Sequence, residues 1–177
     1  MQAIILAAGM GRRLGALTNN NTKCMLEVNG IKLIDRTLDT LDELNIRRVI
    51  LVVGYNAQNV VDHVGDKYKG MEITYVENSV YDKTNNIYSL FLAREHLLED
   101  DTLLLESDLI FESDVVRKII EDSDPNIALV DKYESWMDGT VVTLDNDNKI
   151  AEFLGKDRFR YSDIDRYYKT VNIYKFS

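Results

Sequence analysis

Apolar residues fall in short unbroken runs near the amino terminus, separated by stripes at helical spacing. Ile4-Ile5-Leu6-Ala7-Ala8 is continuous from the third position onward, as expected of a strand buried on both faces. Arg48 to Val53, Glu72 to Glu77 and Thr102 to Glu106 are further strand-length runs. Between them Ile34, Leu38, Leu41 and Leu44 mark one helical face, with Asp35, Arg36, Asp39 and Asp42 opposite. Ala57, Val60, Val61 and Val64 mark a second, and Val115, Val116, Ile119 and Ile120 a later one. A helix capped by Asn85 or Asn86 would carry Ile87, Leu90, Phe91, Leu97 and Leu98. Met25 to Val28 is a short extended piece turned by Asn29-Gly30. This alternation predicts an α/β fold: a Rossmann-like, mostly parallel sheet with helices on both faces.

The pattern changes after Pro125, the only proline. Ile127 to Val130 reads as a strand. Thr140 to Leu144 and Ile150 to Leu154 alternate around Asp145-Asn146-Asp147-Asn148, which predicts a small β-hairpin extension. Arg158 to Arg166 is charged and Tyr-rich, an excursion or lid, and Tyr168 to Phe176 is a closing strand. No repeat, low-complexity tract or linker interrupts the chain, so residues 1–177 are expected to form a single domain, a length that buries about two thirds of the unfolded surface.

Composition narrows the partners. A lone Cys24 rules out a disulfide framework, and no signal peptide or apolar run of about 18 residues is present, so a cytoplasmic protein without a membrane partner is expected. The formal net charge of -9 argues against nucleic acid, whose backbone needs a basic face. Against that acidic background Arg12, Arg13 and Lys23 gather around a glycine turn, Gly9-Met10-Gly11. Glycines let backbone approach a ligand closely, and the N–H groups of such a turn bind anions. A nucleoside triphosphate fits.

Spacing separates the Gly-rich readings. The dinucleotide fingerprint requires a third glycine where Leu14 stands, with Gly15 one place late, and no Walker string exists. The string Leu6-Ala7-Ala8-Gly9-Met10-Gly11-Arg12-Arg13-Leu14, with Lys23 ten residues after Arg13, resembles the signature of the nucleotidyltransferase superfamily that joins a nucleoside triphosphate to a phosphorylated sugar or alcohol. The family usually carries proline where Ala16 and Thr22 stand here, so this loop is less stiff. Val52-Val53-Gly54-Tyr55, Thr84-Asn85-Asn86-Ile87-Tyr88-Ser89-Leu90 and Glu106-Ser107-Asp108-Leu109-Ile110-Phe111 look most like the phosphocholine and 2-aminoethylphosphonate cytidylyltransferases. Relatives normally continue with further helices and a second metal-binding acidic residue, C-terminal elements that this chain is expected to lack.

The resemblance implies roles. Arg13 and Lys23 would act on the β- and γ-phosphates, neutralising charge on departing pyrophosphate. Arg12 sits between the patterned positions and can equally face solvent. Leu6, Ala7, Ala8, Gly9 and Gly11 would line the nucleotide through their backbone. Asp108, at the end of the fourth long strand, would hold Mg2+, a cation that takes one or two protein carboxylates; on sequence alone it serves equally as a helix cap. Asn85, Asn86 and Ser89 match the segment beside base and ribose, and an amide suits cytosine, though either Asn also caps the helix. Asp131 to Thr140 is the expected acceptor region: Lys132 for a phosphate or phosphonate, Tyr133, Trp136 and Asp138 for a cationic end. Cys24 reads as core packing, and His63 and His96 lack further ligands at metal spacing.

The expected function is Mg2+-dependent transfer of CMP from CTP to a small phosphorylated or phosphonylated amino-alcohol, phosphocholine or 2-aminoethylphosphonate, releasing pyrophosphate. The alternatives are a sugar-1-phosphate nucleotidylyltransferase and a non-catalytic nucleotide-binding regulatory domain.

Overall fold

Strand β1 (Gln2–Ala7) is the centre of a parallel sheet, paired with β4 (Arg48–Val53) on one side and β7 (Thr102–Glu106) on the other. The computed structural model describes residues 1–11, 15, 21–155 and 157–177. These divide into two compact units, residues 1–127 with 174–177, and residues 128–173.

In the first unit β4 pairs in parallel with β6 (Met71–Glu77), and the two-residue β5 (Lys67–Tyr68) closes that edge antiparallel to β6. The order β5-β6-β4-β1-β7 follows. The uninterrupted apolar runs are explained by burial on both faces. Ile4, Ile50, Val52 and Leu104 pack with Ala93 in one cluster; successive strand residues face opposite sides, and Ala3, Ile5, Val49, Leu51, Leu103 and Leu105 on the alternate positions are also fully buried. The mostly parallel α/β sheet matches the expectation.

The predicted helices form as α1 (Leu33–Glu43), α2 (Ala57–Val64) and α5 (Ser113–Glu121), burying Ile34, Leu38 and Leu41, Val60 and Val64, and Val116 and Ile119 respectively. One helix differs. The stripe expected from Asn85 to Leu98 breaks at Ala93 into α3 (Asn86–Leu92) and α4 (Arg94–Leu97). Ala93 is fully buried in the core cluster, and its N–H reaches the carbonyls of both Leu90 and Phe91, the tightened geometry of a helix end. Across the break Leu90 and Leu97, seven residues apart, pack on the core while Ile87, Phe91 and Leu98 stay exposed. The Asn29-Gly30 turn joins β2 (Glu27–Val28) to β3 (Ile31–Lys32) as a small antiparallel hairpin.

The second unit contains β8 (Ile127–Lys132) from Ala128 onward, β9 (Val141–Leu144), β10 (Ile150–Leu154) and β11 (Tyr167–Phe176) up to Ile173. β9 and β10 are the expected hairpin, and β9 also pairs antiparallel with β11. The Tyr-rich excursion contains a 3-10 turn, Tyr161–Arg166.

Gly54, just past β4, joins the sheet to the first loop. A Cβ there would lie 2.9 Å from both the Cβ and the backbone oxygen of Ala8, and the neighbouring Tyr55 N–H donates to that same oxygen at 3.1 Å. Gly54→Ala is therefore expected to displace the turn after β1 and to cost about 1–3 kcal/mol, seen as a lower urea midpoint at unchanged slope. An unchanged midpoint would mean that the approach is not tight.

Candidate active site

The strand order reverses at β1. The chain builds outward from β1 through β4 to β6, then returns to β1's other side with β7, and the carboxyl ends flanking such a switch point splay apart into a crevice. Leu6 is in register with Glu106, and the Ser107 N–H donates to the Leu6 carbonyl at 3.2 Å. Past that contact the two chains diverge. A cleft of about 190 Å³ opens between them, lined by Leu6, Gly9, Gly11, Lys23, Asn86, Glu106, Ser107 and Asp108. Gly11 has φ +66°, a left-handed conformation costly for any residue with a Cβ. Arg12, Arg13, Leu14 and Ala16 lie outside the described residues.

Lys23 begins a 3-10 turn, Lys23–Met25, anchored from below. Its neighbours Thr22 and Cys24 are buried, with the Thr22 hydroxyl 2.9 Å from the Cys24 sulfur. The lysine side chain alone reaches outward, and its ammonium donates to Asp108 Oδ2 at 2.8 Å. Two residues assigned to different parts of a metal–triphosphate complex thus meet at one edge of the cleft.

The adjacent asparagines divide their work. Asn85 is the N-cap of α3, its side-chain oxygen accepting from the Tyr88 N–H at 3.3 Å. Asn86 lines the cleft and donates from Nδ2 to Glu106 Oε1 at 2.5 Å. Ser89 is buried, its hydroxyl accepting from the Asn78 amide at 3.0 Å. Ala7 and Ala8 are buried at the strand end, where the Ala8 carbonyl accepts from Tyr55.

The donor set suits a hard divalent cation. Among the described residues no three His, Cys, Asp or Glu side chains assemble into a metal group, but Asp108 and Glu106 bring two carboxylates to one cleft. Mg2+ binds through one or two carboxylates together with waters and substrate phosphates. His63 instead pairs with Asp35 at 2.8 Å, and His96 with Glu99 at 3.5 Å.

In the second unit Tyr133 and Asp138 line a cleft of about 320 Å³ with Phe159 and Tyr161. Phe159 is the hub: its ring centroid lies 5.3 Å from Tyr133 and 5.2 Å from Tyr161, both edge to face. Trp136 and Lys132 are not among the residues lining it. Trp136 is 77% exposed, its indole N–H donating to Glu134 at 3.3 Å. The Lys132 ammonium donates to the Asp165 carbonyl at 2.7 Å and lies 4.2 Å from the Tyr168 ring centroid. Glu106, Phe159 and Tyr161 were not singled out from the sequence. Glu106 opens the Glu-Ser-Asp string, and both aromatics sit in the Tyr-rich excursion, so the signals were proximity to a motif and composition.

The family model described as the MobA-like NTP transferase domain matches residues 3–155. The chain belongs to that family. It is 34% identical over 176 residues to CMP-5'-(3-aminopropyl)phosphonate synthase of Streptomyces rubellomurinus, covering 98% of this chain and 28% of that protein. It is 34% identical over 137 residues to UTP--glucose-1-phosphate uridylyltransferase AglF of Haloferax volcanii, covering 76% and 55%. The chain thus spans roughly a quarter to a half of these two curated relatives. The solved structure of CTP:phosphocholine cytidylyltransferase from Streptococcus pneumoniae superposes with a TM-score of 0.75 at 25% identity, over 99% of this chain and 70% of that one. No helix among the described residues is long and apolar enough to cross a membrane.

Cys24, next to Lys23, is a free cysteine buried in the core. Burial pushes its thiol up from 9.0 to about 11. The thiolate fraction near neutral pH is then about a hundredfold below that of the unfolded chain. A disulfide thiol reagent at pH 8 is expected to leave the native protein unlabelled and to modify it promptly in urea. The protonated thiol supports folding fully below about pH 9 and loses that contribution as pH rises through about 11. Rapid labelling of native protein would contradict the burial.

Proposed function

We propose that this domain transfers the cytidylyl group of CTP to a small phosphonylated or phosphorylated amino-alcohol with Mg2+, and that residues 1–177 act as one nucleotidyltransferase domain built from two compact units. The observation that carries the reading is the convergence of Lys23, Asp108 and Asn86 on the cleft at the strand-order reversal. An oxygen of the acceptor's phosphonate or phosphate attacks the α-phosphorus of CTP. The bond from that phosphorus to the bridging oxygen breaks, and pyrophosphate leaves with the bonding pair. No protein base is required, because a phosphate monoester with a second pKa near 6 is already ionised at neutral pH.

The protein positions and neutralises. The backbone from Leu6 through Ala7, Ala8, Gly9 and Gly11 cradles the nucleotide, and Lys23 with Arg13 binds the β- and γ-phosphates as charge builds on them; Arg12 adds to the positive field. Asn86 meets the base, while Asn85 and Ser89 hold the start of α3 beside it. Asp108 holds Mg2+, which when bound neutralises triphosphate oxygens as a Lewis acid.

For the acceptor, the aromatic and acidic cleft containing Tyr133 and Asp138 suits an ammonium group, with Trp136 and Lys132 as further contacts to the cation and the phosphonate. The aminopropylphosphonate name of one relative supports an amine, and the absence of a membrane-crossing helix among the described residues suits work in the cytoplasm. A sugar 1-phosphate with UTP is the second reading, favoured by the uridylyltransferase relative.

Pyrophosphate release measured with CTP or UTP, with or without Mg2+, against 2-aminoethylphosphonate, 3-aminopropylphosphonate, phosphocholine and glucose 1-phosphate separates these. The expected result is Mg2+-dependent turnover with CTP and an amine-bearing acceptor. Preference for UTP with glucose 1-phosphate establishes the second reading, and no turnover with any pair refutes both.

Asp138→Asn is expected to raise the KM of the amine acceptor about tenfold while leaving that of CTP within about twofold, because it weakens the charge-assisted contact to the ammonium and keeps the side chain's size. Equal changes in both would remove Asp138 from the acceptor pocket.

A further inference from the structure

An asparagine amide has a donor end and an acceptor end of nearly equal size, so alone it reads a base edge ambiguously. In this cleft the ambiguity is removed. The Asn86 Nδ2 lies 2.5 Å from Glu106 Oε1, and an ionised carboxylate can only accept, so nitrogen must face Glu106 and oxygen is left for the occupant of the cleft. Asn86 cannot be diverted to capping α3, because Asn85 already does so. Glu106 is itself fixed by position, as the last residue of β7 and in register with Leu6 of β1.

We propose that Glu106 is the positioning residue for base choice: by holding the Asn86 nitrogen it presents Asn86 Oδ1 as an acceptor to the base edge, selecting the 4-amino group of cytosine over the 4-oxo group of uracil. The inference rests on the reading that the cleft binds a nucleoside triphosphate with Asn86 at the base. Uracil places an acceptor oxygen where cytosine places an N–H donor. Opposite a locked acceptor, that oxygen goes unpaired and loses its water. The negative carboxylate behind Asn86 adds to the preference, since it favours an amino group and disfavours a carbonyl at the same position.

The test is the ratio of kcat/KM for CTP to that for UTP in the full chain with Mg2+ and an amine acceptor. In Glu106→Gln the amide at 106 can donate as well as accept, so Asn86 is free to turn and offer its nitrogen. The ratio is expected to fall about tenfold, with part of the fall arising from a gain with UTP. The double variant Asn86→Asp with Glu106→Gln restores a locked acceptor, a carboxylate accepting from Gln, and is expected to recover most of the wild-type ratio. In an Asn86→Ala background Glu106→Gln is expected to leave the ratio unchanged, and should the Glu106 variants fold poorly, Asn86→Ala alone, which keeps Glu106, is expected to lower the ratio about tenfold; an unchanged ratio there overturns the proposal, because Glu106 acts through Asn86. An unchanged ratio in Glu106→Gln, whether both nucleotides are unaffected or both fall by the same factor, overturns the proposal; an equal fall assigns Glu106 to the ribose, phosphates or metal. A wild-type protein that turns over neither nucleotide refutes the function itself, an outcome distinct from wild-type preference for CTP that Glu106→Gln leaves intact.

Discussion

The parallel pairing of β1 with β4 on one edge and β7 on the other is the constraint on which the site depends. β1 pairs with β4 from Ala3 to Ala7 and with β7 from Gln2 to Leu6, the Leu6 carbonyl takes the Ser107 N–H, and from there β1 and β7 part. Where the segments after these two strands diverge, Leu6 and Glu106 at the strand ends are partly exposed and polar groups face the opening. Gly54 pressed against Ala8 holds the residue after β1 close to the end of β4.

Within the opening, charges of opposite sign are held by independent supports. Lys23 rides on the buried Thr22 and Cys24, whereas Asp108 follows β7. A partly exposed pair of this kind contributes about 0–1 kcal/mol. Under the proposed function such a contact would be easily exchanged, the ammonium gaining a phosphate and the carboxylate a cation at little cost to the fold. The same economy of supports separates Asn85 from Asn86, one tied to its helix and the other to Glu106.

The second unit has a different physics. Its cleft is walled by rings that pack edge to face around Phe159, with Asp138 as the acidic member. Edge-to-face packing sets the ring orientation, and the Tyr133 hydroxyl adds a bond to the Met137 carbonyl at 3.1 Å. Trp136, expected from the sequence at the acceptor's cationic end, is exposed, donates to Glu134 and stands outside the residues lining that cleft.

Much of this was legible in the chain itself. Continuous apolar runs and stripes at helical spacing are local signals, and they placed β1, β4, β6, β7, α1, α2, α5 and the β9–β10 hairpin. The glycine turn with its nearby Lys23, and Asp108 at a strand end, were readable because a turn and a strand terminus are also local. The two-residue β5 left no periodicity to read, and the break at Ala93 falls at a fully buried residue inside an otherwise regular stripe. Strand order, by contrast, belongs to the tertiary structure alone, and with it the meeting of Lys23 and Asp108, 85 residues apart. So do the orientation of the Asn86 amide and the company Tyr133 keeps with Phe159 and Tyr161. Hydrophobic period decides which face of an element is buried; which side chains from distant elements then share a cleft is decided only when sheet register and crossover bring them there.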